Sequence, residues 1–121
     1  MDQTEKYIRM CINAIEIQTM RDGWSSDYLG EIWILPSGTP ILTQRRICVG
    51  KRSTWVPRAD QLREMINFSY RDEKQVDELR LFILGYKELD TMEKVWLAFV
   101  MHKKYHKYWD DKEEEWVTVQ D

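Results

Sequence analysis

Between Ile32 and Ala59 the chain has no aspartate or glutamate, although 21 of its 121 residues are acidic. That gap leaves Arg45, Arg46, Lys51, Arg52 and Arg58 unopposed in sequence, so the middle of an acidic chain is a concentrated positive field. Cysteine is scarce too. Cys11 and Cys48 are the only two, neither belongs to a CxxC pair, and both sit among apolar neighbours. This favours buried thiols in a reducing cytoplasm over a disulfide or a catalytic role. Three prolines and five glycines are too few for a low-complexity chain. No apolar run approaches the ~20 residues that span a bilayer, and the N-terminal MDQTEKYIRM lacks the basic and apolar regions of a secretory leader. A soluble, intracellular protein is expected.

What is present suits one domain over residues 1–121: 43% apolar residues can bury a core, and a 12% aromatic share, with six Trp and six Tyr, argues against disorder. The net charge of −3 is uneven. Residues 1–31 hold three basic and six acidic groups, residues 32–59 five and none, and residues 60–121 ten and fifteen. A total of −3 is too small for a mimic of the DNA backbone, and the basic block is too small for a general DNA coat.

Apolar periodicity predicts a first helix over residues 4–21, with Ile8, Cys11, Ile12, Ile15 and either Ile17 or Met20 on its inner side and a stop near Gly23. Residues 31–35 and 41–44 read as a hairpin around Pro36 and Pro40. Residues 46–49 continue its second strand, and residues 54–56 give a third, making an antiparallel meander. Pro57 suits a helix start, and Leu62, Met65 and Ile66 carry that helix to about Ser69. Val76, Leu79 and Phe82 or Ile83 recur at helical intervals over residues 73–84, while the β-propensity of LRLFIL leaves a strand open. The last helix opens at Asp90, which is placed to cap it, buries Trp96 and Phe99, and runs to about Tyr108. Residues 110–112 then turn the chain, and residues 116–119 could add an edge strand. The expected class is α+β: a small antiparallel β-meander packed with an N-terminal helix and two or three C-terminal helices.

Few motifs point to catalysis. Gly50-Lys51 lacks the phosphate loop's earlier glycine, since Arg45 stands there, and Arg52 replaces its Ser or Thr. His102 and His106 have metal-ligand spacing, but Lys103 and Lys104 lie between them and a third ligand is wanting, so no metal or other cofactor is expected. No Ser or Cys sits in a nucleophile motif, and Asp110-Asp111 fits a solvated acidic segment. The chain therefore reads as a non-enzyme with no catalytic residues. The better candidate is a binding site for an anion or a partner, built from Arg46, Lys51, Arg52 and Arg58, with Trp55 or Trp24 to stack on a base. The competing possibility is that these charges solubilise strand edges and pair with acidic helices, and that Trp55 is core.

Four segments carry a resemblance. Trp55-Val-Pro-Arg-Ala-Asp-Gln-Leu62 with Arg63-Glu-Met-Ile66, the first-helix residues 5–11 and 14–18, Thr91-Met-Glu-Lys-Val-Trp-Leu-Ala-Phe-Val-Met101, and Lys104-Tyr-His-Lys-Tyr-Trp109 running into Trp116-Val117 resemble small uncharacterised proteins of Firmicutes phages and prophages. They span roughly half the chain. The resemblance implies a phage origin rather than an activity. Residues 21–53 depart most from the pattern, which makes the hairpin and basic turn the expected place for target-specific function. A non-enzymatic phage accessory protein is expected, one that binds and neutralises a host factor. The target would be a defence protein, inhibited as by an anti-CRISPR, or an anionic nucleotide signal, sequestered as by a sponge. The alternative is a nucleic-acid-binding regulator of phage replication, less favoured because the helix after Pro57 carries Asp60 and Glu64. The expected location is the host cytoplasm, with no membrane partner, and the surplus rings of the last helix would suit a homodimer.

Overall fold

A computed structural model describes residues 4–20, 25–26, 32–35, 37–42, 47–48, 53–85 and 89–119. The chain divides into two compact units, Gln3–Pro57 and Arg58–Asp121. Together the described elements form an α+β protein.

In the first unit, α1 (Glu5–Asn13) starts at Thr4, whose hydroxyl accepts the Tyr7 N–H. A single helix was expected here, but the chain breaks at Ala14 (φ −82°, ψ 70°) before α2 (Ile15–Met20). The inward face is Tyr7, Met10, Cys11, Ala14 and Ile17, all fully buried, at spacings of three and four. Ile12 and Ile15, expected inside, are exposed. Two apolar stripes run along this helix, and the buried one carries the larger Tyr7 and Met10 and the small Ala14, which allows close approach. Tyr7 also donates its hydroxyl to the Pro57 carbonyl at 2.7 Å.

The strands of this unit are β1 (Ser25–Ser26), β2 (Ile32–Ile34), β3 (Pro40–Leu42), β4 (Ile47–Cys48) and β5 (Thr54–Val56). The expected hairpin is present as β2 and β3. Its turn is closed by Gly38 N–H to Leu35 C=O and Leu35 N–H to Thr39 C=O, with Gly38 at φ 89°. A meander would put β3 in the centre; the observed order is β3-β2-β5, and β4 pairs with β1 instead of extending β3. The apolar residues explain the order: Trp33 lies opposite Trp55 and Ile32 opposite Val56, whereas β3, with Pro40, is fit only for an edge.

The other edge, β5, is held by Gln18. Its carboxamide accepts the Trp55 N–H at 2.9 Å, donates to the Trp55 carbonyl at 2.8 Å, and donates to the Cys11 carbonyl at 3.1 Å beside the helix break. One side chain thereby does for β5 what the peptide group of a further strand would do.

The second unit holds α3 (Ala59–Met65), α4 (Glu73–Gly85), α5 (Met92–Tyr105), β6 (Lys107–Asp110) and β7 (Glu115–Thr118). Helix α5 is its centre, with every residue from Lys94 to Met101 buried, and it packs against α3, α4 and β6. Its cap is Thr91, whose hydroxyl accepts the Lys94 N–H; Asp90, the expected cap, instead pairs with the Lys94 ammonium. Residues 73–85 are helical. Asp72 accepts the N–H groups of Lys74 and Gln75, Leu79 is buried, and Glu78 meets Lys103 of α5 at 2.7 Å. Helix α5 ends earlier than expected, at His106 in the left-handed region (φ 55°), and the freed chain forms β6. Strand β6 pairs with β7 in register, Trp109 opposite Trp116, with ring centroids 5.2 Å apart. No described helix is long and apolar enough to cross a membrane.

Candidate functional site

Helix α3 was expected to reach Ser69 but stops at Met65, and its ending builds a groove. Asn67 takes a left-handed conformation (φ 52°), its N–H bonds the Glu64 carbonyl, and the Phe68 N–H reaches back to the Arg63 carbonyl. This is a Schellman termination, in which asparagine is the usual substitute for glycine. It turns Phe68 back toward Arg63 and returns the chain as Ser69-Tyr70.

Phe68 then meets Tyr70, Trp96 and Phe99 edge-on, at centroid separations of 5.1, 4.9 and 6.4 Å. Arg63 lies over both Tyr70 and Trp96, 5.7 and 5.8 Å from the ring centres, and donates from Nη1 to the Tyr70 hydroxyl at 2.9 Å. Two rings and a phenol therefore orient one guanidinium. The groove has a volume of about 460 Å³ and is lined by Asp60, Arg63, Glu64, Asn67, Phe68 and Tyr70. Such a volume is in the range of small-ligand and peptide side-chain sites.

Its charges are unequal in state. Asp60 is held by Arg58, Nε to Oδ1 at 3.0 Å and Nη2 to Oδ2 at 3.3 Å. The hydrogen bond from Arg58 keeps this carboxyl below its ordinary range, against a smaller opposing effect of burial. Among the described residues no carboxylate lies within ion-pair distance of Arg63, although its charge also helps to hold the Asp60 carboxyl low, and no cation pairs with Glu64. The groove thus offers an oriented donor fork, an acceptor carboxylate, a carboxamide and two aromatic rings.

Of the six residues proposed from the sequence, Trp24, Arg46, Lys51 and Arg52 lie outside the described residues. Trp55 and Arg58 fall in different units. Trp55 is 1% exposed, so its ring packs in the core and presents no face on which a base could stack. Arg58 is the residue before α3, with its N–H accepted by Gln61 Oε1 and its guanidinium bound to Asp60, so that part of the basic block is paired with an acidic helix. His102 and His106 are both exposed, and His102 lies 5.5 Å from the Phe82 ring. Among the described residues no three His, Cys, Asp or Glu side chains are grouped as a metal site.

The groove residues Arg63, Glu64, Asn67, Phe68 and Tyr70 were missed in the sequence, where residues 70–72 looked like a plain polar break. The available signal was Asn67 just past the last apolar position of a helix, followed by two aromatics. No protein-family model, curated protein or solved structure matches the chain.

Proposed function

We propose that the protein works by binding, as a non-enzymatic phage accessory protein that neutralises a host factor, most directly a component of a defence system. The observation that carries this reading is the surface of residues 58–121. Tyr70, which lines a groove with an oriented arginine, is 62% exposed, and Leu81 and Leu84 of α4 are 70% and 66% exposed. Large apolar and aromatic side chains presented among charges are the composition of a protein-contact surface. Phage origin and the defence target rest on the resemblance of the four sequence segments. The groove favours a protein target over a nucleotide there, because the Glu64 charge opposes a phosphate dianion more strongly than a singly charged side chain. A nucleotide signal would have to use the basic residues 45–52.

Expression in bacteria that each carry one defence system, followed by phage challenge, tests the reading. Plaque formation should be restored against one system. Failure on every system, together with salt-dependent binding to mixed-sequence DNA, would favour the replication regulator instead.

A further inference from the structure

We infer that the groove at the end of α3 binds an aspartate or glutamate side chain within an extended segment of a partner protein, with Arg63 as the recognition residue. The inference rests on the binding reading above and names the chemistry of its partner.

The Arg63 guanidinium has one described hydrogen bond, from Nη1 to Tyr70, and its ring contacts hold its plane without using its other N–H groups. A planar donor fork fixed in this way matches the two oxygens of a carboxylate, and little orientational freedom is lost when it binds. Phosphate is the obvious competitor. Glu64 and Asp60 line the same groove, and among the described residues Asp60 is ion-paired, with Arg58, while Glu64 is not. A dianion would therefore sit against the Glu64 charge, whereas a carboxylate brings half that repulsion. A peptide also supplies backbone N–H groups beside its acidic side chain, and Glu64 and the Asn67 carboxamide are acceptors for them. The rings of Phe68 and Tyr70 can cover the methylenes of a glutamate stem.

The test is an NMR titration of the ¹⁵N-labelled full chain with acetylated, amidated glycyl-glutamyl-glycine, using the glutamine and lysine analogues and inorganic phosphate as comparisons. The glutamyl peptide should shift the Arg63 Nε–H, Asn67 and Tyr70 signals saturably, with at least tenfold higher affinity than either analogue. Arg63→Lys keeps the charge but loses the fork, and should weaken that binding at least tenfold. Should Arg63→Lys fail to fold, Tyr70→Phe keeps the ring, removes the anchor for Nη1, and should weaken binding severalfold.

Equal affinity for the glutamine peptide, tighter binding of phosphate, or no shifts in the groove would overturn the inference. A flat titration together with capture of a host protein that protects Phe68 and Tyr70 from hydrogen exchange would overturn only the carboxylate specificity. The binding reading itself would then stand.

Discussion

Gln18 holds a position that no propensity scale singles out, and it joins a helix break to a sheet edge. Its carboxamide bonds three backbone groups, two of Trp55 and the Cys11 carbonyl, which also accepts the Ala14 N–H. Removing a hydrogen-bond partner from a buried backbone group costs about 1–3 kcal/mol, because the orphaned group has lost its water as well. Gln18→Ala should therefore lower the urea midpoint by an amount in that range, and Gln18→Glu should do no better, since a carboxylate cannot donate to two carbonyls. A Gln18→Ala midpoint equal to that of the parent would show that the β5 edge is satisfied without it. The Arg58–Asp60 pair makes a weaker, pH-dependent contribution. A depressed carboxyl pKa stabilises the fold above the unfolded value of about 3.9, and that stability is lost as pH falls through the lower folded value. With both side chains more than a third exposed the pair is worth below about 1 kcal/mol. Arg58→Ala should thus cost a little stability at pH 7 and progressively less as pH falls below the ordinary carboxylate range, as measured by urea titration across that range.

At the scale of elements, helices were legible where one apolar stripe dominated, and their ends were not. The signal of α5 was strong because Val95, Trp96, Phe99 and Val100 share a side, yet its cap moved one residue to Thr91 and its end fell back to Tyr105. His106 and Asn67 end their helices by entering the left-handed region, a choice that tertiary packing makes and apolar periodicity does not record. Strand β6 was hidden for the same reason, since Lys107 to Asp110 continues the helical spacing until Trp116 is available as a cross-strand partner. In α1 the sequence offered two apolar stripes, and only packing decides which one is buried. Strand order depends on which pairs bury the most surface, so Trp33 opposite Trp55 displaced the meander. The α3 groove follows from the Asn67 turn, which gives it a direct test. Asn67→Gly should keep stability, whereas Asn67→Val forces a β-branched residue into the left-handed region and should cost roughly 1–2 kcal/mol. If valine is as stable as glycine in thermal unfolding, the Schellman ending is not what shapes the groove.

For the whole molecule, the sequence's own candidate site and the groove make different claims about where a target is held. Lys51 and Arg52 belong to the basic block, Arg63 and Tyr70 to the groove. If the block is solvated, reversing it with Lys51→Glu and Arg52→Glu should leave thermal stability nearly unchanged, because exposed charges contribute only ~0–1 kcal/mol each. If the block holds an anionic target, the same variant should abolish the proposed counter-defence activity in the phage challenge. Full retained activity would make the block solvated surface and leave the groove as the contact. Either outcome assumes that the protein acts by occupancy, and that assumption can be measured by itself. The activity of the host factor captured by the protein should be titrated against increasing protein, with the factor held well above the dissociation constant. A binder predicts a linear fall that ends at a fixed stoichiometric ratio, independent of incubation time. Complete loss of activity at a small fraction of that ratio, deepening with time, would mean turnover and would contradict the account.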